Sequence, residues 1–121
     1  MKTKNSLLNT HSHYHAHIYF DESSIDLART LYSEIETTLE LELGRFHQKL
    51  LGPHSKWMFQ VAFSEVEFLT FTHWLEQNRA GLSVLIHPLS GNNLQDHSEL
   101  ASWLGPPIKL NLAIFETHTQ D

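Results

Sequence analysis

The chain has 121 residues, 40% hydrophobic, 11% aromatic and 18% charged, a size and balance that fit one domain with its own core and exclude a disordered chain. Eight Lys and Arg stand against fourteen Asp and Glu, for a formal net charge of -6 with histidine neutral. The few cations are scattered, which excludes the clustered basic surface that nucleic acid or an anionic membrane would need. Cysteine is absent, so neither a disulfide framework nor a thiolate metal site is available.

Residues 1–12 read as a flexible N-terminal tail. They carry two lysines and no apolar run of signal-peptide length, and no window in the chain reaches transmembrane length. A soluble, cytoplasmic protein is the expectation. A single domain is expected over residues 13–116, with residues 117–121 as a second tail.

From Tyr14 the apolar residues alternate: Tyr14, Ala16, Ile18, Phe20. Period two predicts a strand with one buried face, and the other face then carries His13, His15, His17 and Tyr19. Ser23 with Asp26 suggests a capping box. Behind it Ile25, Ala28, Leu31, Tyr32, Ile35 and Leu39 recur at helical spacing, predicting a helix from about Ser24 to Leu39. A second strand is expected around Leu43 to Leu50, with Gly44 as a bulge, then a turn at residues 52–54. "KWMFQVAF" predicts a third strand with Trp57, Phe59, Val61 and Phe63 on one face and Met58, Gln60 and Ala62 on the other. Ser64 and Glu67 cap a second helix carrying Phe68, Phe71, Trp74 and Leu75 and ending at Gly81. "LSVLIHP" predicts a fourth strand. Asp96 with Glu99 is expected to open a short helix through Leu100, Trp103 and Leu104, ended by Gly105 and two prolines. "LNLAIF", residues 110–115, is expected to close the chain as a strand.

The order predicts an α+β, ferredoxin-like βαββαβ domain, with an antiparallel sheet and both helices on one face, extended by the short C-terminal helix and strand. The helix-covered face takes the apolar set. The open face receives His13, His15, His17, Met58, Gln60, Leu85 and His87. Met58, Leu85 and Ala62 on that face lead to the expectation of a homodimer.

Ten histidines are the compositional outlier. Strands one and four should pair antiparallel, bringing His87 near His13 or His15. His47 and His54 come from the second strand and the following turn, so three to five imidazoles could converge. Imidazole suits Fe, Zn, Cu and Ni, and the pattern points to an open-coordination metal site. A solvated H-x-H-x-H face is the competing reading. His73 and His118 read as surface residues, His11 as tail, and His97, after the supposed cap Asp96, as structural.

The segments "HAHIYFD", "GRFH", "GPH" followed by "MFQVAF", "NRAGLSVLIHP" and "DHSELASWLG" occur in this order from about Tyr14 to Phe115. Together they resemble the DOPA 4,5-dioxygenase family. The resemblance implies a small ferredoxin-like domain and extradiol cleavage of a catechol such as DOPA by non-haem Fe(II) and O2, with Zn or Ni able to substitute for iron in purified protein. The family's histidines fall on His15, His17, His47, His54 and His87. The resemblance leaves their roles open. The assignment taken forward is a metal set of His17, His54 and His87, with His15 and His47 as acid–base groups. Gln60, Arg45 and Arg79 are candidate substrate contacts, the arginines for a substrate carboxylate. Glu42 and Asp96 are the carboxylates that could complete the common two-histidine, one-carboxylate set. Where the family tends to have proline after "GPH", this chain has Ser55, which is expected to loosen the turn. A non-catalytic module of the same fold, holding a divalent metal or a small aromatic, is the alternative function.

Overall fold

A computed structural model describes residues 11–115. Residues 1–10 and 116–121, with most of both expected tails and His118, lie outside the described residues. The elements run β1 (His13–Phe20), α1 (Ile25–Glu34, continued by a wider turn over Ile35–Leu39), β2 (Glu42–Leu43), β3 (Trp57–Ser64), α2 (Phe68–Asn78), β4 (Val84–Pro88), α3 (Asn93–Asp96) and β5 (Ser102–Leu104). One five-stranded sheet has the order β2-β3-β1-β4-β5, every pairing antiparallel. This is the expected βαββαβ arrangement with an added edge strand.

Period two in β1 sorts its side chains as read. Tyr14, Ala16, Ile18 and Phe20 join Phe59, Val61, Phe63, Val84 and Ile86 in the main core, closed by Ala28, Leu31 and Ile35 of α1 and its extension and by Phe68, Phe71 and Leu75 of α2. The other sheet face has its own small cluster. Tyr19, Met58, Leu85 and Ala101 are buried there under Trp103, Ile108 and Leu110. The chain's C-terminal segment thus covers Met58 and Leu85, whose exposure was the ground for expecting a homodimer.

Four local expectations are corrected. The capping box sits on a 3-10 turn, Glu22–Ser24, that leads into α1: the Asp21 carboxylate accepts from Ser23 N–H while Ser24 Oγ accepts from Asp21 N–H. The second strand shrinks to Glu42–Leu43; beyond it Gly44 N–H donates to Gln60 O and a single bridge joins His47 to Met58. The third helix starts four residues early, because Asn92, not Asp96, accepts from Gln95 N–H. Ser102–Leu104 is then free to pair with β4, with Leu85 opposite Trp103. Residues 110–115 form no strand: β5 already occupies that sheet edge, and Leu110 is spent on the second-face cluster. Ahead of β1, Ser12 O accepts from Glu65 N–H at 2.9 Å. Among the described residues no helix is long and apolar enough to cross a membrane.

Phe59 is fully buried and packs edge-on against Tyr32, 5.1 Å between ring centroids. Phe59→Ala is expected to cost about 3–5 kcal/mol in denaturant unfolding. Val66→Ser, at an 87% exposed position, should change stability by less than about 0.5 kcal/mol.

Candidate metal centre

The second sheet face divides in two. Toward the end where Phe20 lies it is apolar; toward the end where His13 lies it is lined with imidazoles. The β1–β4 register sets His15 opposite His87 and His17 opposite Leu85. The β1–β3 register sets His17 opposite Gln60 and His15 opposite Ala62. Directly opposed residues have Cβ atoms about 4.5–5.5 Å apart, so the sheet alone gathers His15, His17, His87 and Gln60.

Two loops add further rings. The turn after the broken second strand delivers His54, whose ring centroid is 4.2 Å from that of His17. The loop after β4 returns over the same face and delivers His97, 4.2 Å from His87 and 6.1 Å from His17. Among the described residues two sets of three have ligand atoms mutually within 4.8 Å: His15, His17, His87 and His17, His54, His97. His17 belongs to both.

The hydrogen bonds decide which nitrogens are free. His87 Nδ1 lies 2.9 Å from Pro88 O and His97 Nδ1 lies 2.8 Å from Asn93 O. A carbonyl only accepts, so both Nδ1 atoms carry the proton and both Nε2 atoms present a lone pair. His54 Nδ1 is 2.7 Å from the Tyr19 hydroxyl. His17 Nε2 is 3.1 Å from His87 Nε2, and His17 Nδ1 is buried with no partner. An unpaired buried polar atom costs about 1–3 kcal/mol.

Burial also fixes the charge. It holds His17 well below the ordinary histidine range, with His54 and His87 adding repulsion. Burial pushes His54 down to about 4 and His87 to about 3, in each case with His97 as the next contributor. His15 and His97 are lowered by burial too; Glu42 and Asp96 pull His15 back, and the bond to Asn93 O and the charge of Asp96 do so for His97. At neutral pH the cluster is a set of neutral imidazoles, the charge state a metal requires, in which His87 and His97 present Nε2 lone pairs. Two ligand nitrogens about 2.1 Å from one ion and at right angles around it stand about 3 Å apart, close to the His17–His87 separation. The residues fit a divalent ion.

The other candidates are placed as follows. His47 is half-buried on the edge of β3 and contributes to lowering His54. Gln60 is half-buried beside His17. Arg45 is exposed in the stretch between Gly44 and His47. Arg79 is at the other end of β4: its guanidinium pairs with Glu76 at 3.2 Å and donates to Leu82 O, and a Cβ on Gly105 would come within 2.6 Å of it. It holds the α2–β4 corner and is not brought to the histidines. Asp96 is buried, its carboxylate accepting from Ser90 N–H and Ser90 Oγ, so it ties the loop that carries His97. Glu42 is exposed, and neither ligand set contains a carboxylate. His13 is exposed, as is His73 on α2.

Sequence reasoning left His97 outside the cluster because Asp96 looked like a helix start. The shift of that helix puts His97 at its end, facing the sheet. Ser55 does the opposite of loosening its turn: its hydroxyl donates to Lys109 O at 2.7 Å, and Asn111 N–H donates to Pro53 O. These two bonds strap the His54 turn to the C-terminal segment, whose Phe115 lies 4.9 Å from the His97 ring. A cavity of about 250 Å³ lined by His13, Glu42, Ala62 and Glu67 among others includes none of the clustered histidines.

Comparison with known proteins gives a consistent result. The profile of the Dopa 4,5-dioxygenase family matches residues 14–114. A DOPA 4,5-dioxygenase from Amanita muscaria is 29% identical over 109 residues, 83% of this chain and 48% of that protein. An uncharacterized 21.2 kDa protein from Botryotinia fuckeliana is 34% identical over 110 residues, 81% of this chain and 60% of that one. The chain therefore spans about half the length of the first relative and under two thirds of the second. The crystal structure of a candidate dioxygenase from Nostoc punctiforme superposes with a TM-score of 0.85 at 38% identity, covering 88% of this chain and 93% of that one.

The lowered histidines make metal-free stability depend on pH. An unfolded chain takes up protons on these rings as pH falls through about 6.5, while the folded chain resists until about 4 at His54 and about 3 at His87. The unfolded state binds more protons in that window, so stability is full above it and falls as pH drops. Chemical denaturation of metal-free protein should show a flat free energy from pH 8 to 7 and a loss of about 3 kcal/mol from His54 alone by pH 4. His54→Gln should flatten that slope.

Proposed function

The chain belongs to the Dopa 4,5-dioxygenase family, and from that premise we propose that it is an extradiol dioxygenase that opens a catechol ring with O2 at a histidine-held Fe(II). The observation that carries the reading is the pair of buried imidazole nitrogens, His17 Nε2 and His87 Nε2, 3.1 Å apart within a set of neutral rings. His17, His54 and His87 are the proposed ligands; His17 is common to the two sets whose ligand atoms lie mutually within 4.8 Å, His87 stands in one with His15, and His54 stands in the other with His97. When bound, Fe(II) supplies a redox-active centre that can take both a catechol and O2.

The chain's own residues account for the selectivity of such a centre. Ligands that are all neutral leave the ion's charge uncompensated, so the site favours an anionic chelating group, which a deprotonated catechol provides. His15 sits at the half-exposed edge of the cluster beside Ala62, and Glu42 and Asp96 partly restore its basicity. Its proposed role is to take a hydroxyl proton from the substrate and pass it to water. His47, on the His54 side, is the second acid–base candidate. Gln60, opposite His17, can hydrogen-bond a substrate oxygen. Arg45 remains the candidate partner for a substrate carboxylate at the rim. The strap through Ser55 and Asn111, with Phe115, walls the far side against water.

The decisive assay loads the protein anaerobically with Fe(II), adds DOPA or another catechol, and admits O2. A yellow ring-opened product should form, and His17→Ala and His87→Ala should each lose bound iron and at least about a hundredfold in rate, or about 2.7 kcal/mol in the barrier. Iron retained by both variants would defeat the ligand assignment. Tight iron with no product from any catechol would make the domain a binding module.

A further inference from the structure

Three of the inward-facing histidines have their outer nitrogen held. For His87 and His97 the holder is a backbone carbonyl, which comes with the fold whatever the side chain. For His54 it is a side chain, Tyr19, through its hydroxyl at 2.7 Å from Nδ1. The proposed activity uses no tyrosine, yet this one is 1% exposed, its ring lies 5.6 Å from the His54 ring, and it stacks on Trp103 at 5.9 Å. Burial pushes its phenol up, so it stays protonated. Tyr19 extends the every-second-residue row of His13, His15 and His17 on the same strand face, at the seam between the imidazole half and the apolar half of that face.

We propose that Tyr19 is a positioning residue of the metal centre: it accepts the Nδ1–H of His54 and so turns His54 Nε2 toward the ion. This rests on the reading of the cluster as a metal centre. A neutral imidazole that gives Nε2 to a cation carries its proton on Nδ1, and in buried surroundings that N–H needs an acceptor that also fixes the ring plane. His54 sits on a turn with no strand to hold its ring, so the side-chain acceptor does for it what Pro88 O does for His87. Tyr19 is in turn fixed by β1, where its partner across the sheet is Met58 and its own N–H donates to Ser83 O.

A hydroxyl can play either part in this bond, and the two parts predict opposite signs. If Tyr19 accepts, removing its hydroxyl frees the His54 ring to rotate and weakens the ion's hold. If Tyr19 donates, His54 carries its proton on Nε2, the ring is closed to the ion, and removing the hydroxyl tightens binding.

The test is Tyr19→Phe in the full chain, which keeps the ring in its packing. Zn(II) affinity is measured by competition with a chromophoric chelator, alongside the unfolding midpoint of the metal-free protein. The expected result is a loss of affinity of about 10-fold to 100-fold with the metal-free midpoint close to that of the unaltered chain. Nitrogen-15 spectra of the Zn(II)-loaded, unaltered chain should show His54 protonated at Nδ1 and bonded through that proton, a result that stands even if the variant folds poorly. Affinity unchanged or raised in Tyr19→Phe, or a His54 proton found on Nε2, would overturn the role of Tyr19 alone. An unaltered chain that binds no Zn(II) would remove the metal centre, and the role of Tyr19 with it.

Discussion

Two neutral imidazoles facing each other across paired strands are the constraint on which the site depends. His17 and His87 are both nearly buried and their Nε2 atoms are in contact distance. Charging either ring would carry a desolvation cost, and charging both would add mutual repulsion. Burial keeps them neutral, and the bond from His87 Nδ1 to Pro88 O leaves the Nε2 lone pair aimed at its neighbour. A folded core does not ordinarily leave a buried ring nitrogen such as His17 Nδ1 without a partner. The arrangement is accounted for if a cation completes it.

The rest of the second sheet face supports that contact. Its apolar half is sealed within the chain: Tyr19, Met58 and Leu85 lie under Trp103, Ile108 and Leu110. The same covering segment reaches the His54 turn through Lys109 O and Asn111 N–H. A single stretch of chain therefore both buries the hydrophobic seam and steadies the His54 turn, which has little sheet pairing of its own. Asp96 does comparable work on the opposite side by holding Ser90, which fixes the short loop from β4 to His97.

The edges of the cluster differ from its centre in a way that suits two kinds of task. The central rings, His17 and His87, are closed off from water and titrate far below neutrality. His15 remains half-exposed, with Glu42 and Asp96 offsetting part of the effect of burial. A ring closed off from water and a ring open to it thus stand on one strand, two residues from each other.

The alternation in residues 13–20 determined most of the outcome. A strand has period two, so His15, His17 and Tyr19 had to share a face once Ala16, Ile18 and Phe20 were buried. The βαββαβ order then fixed β1 in the middle and β4 beside it, which is why His87 could be placed near His13 or His15 from the sequence, and the register chose His15. What only the tertiary structure decided lies in the loops. His97 joins the cluster because Asn92 captures the helix start and β5 takes the edge of β4. Arg79 is held at the α2–β4 corner because Glu76 and Leu82 O engage its guanidinium there. Ser55 strengthens its turn because Lys109, 54 residues on, supplies an acceptor. Periodicity encodes which face a strand residue occupies. Where a loop returns to depends on competition among distant hydrogen-bond partners, and that competition has no local signature in the chain.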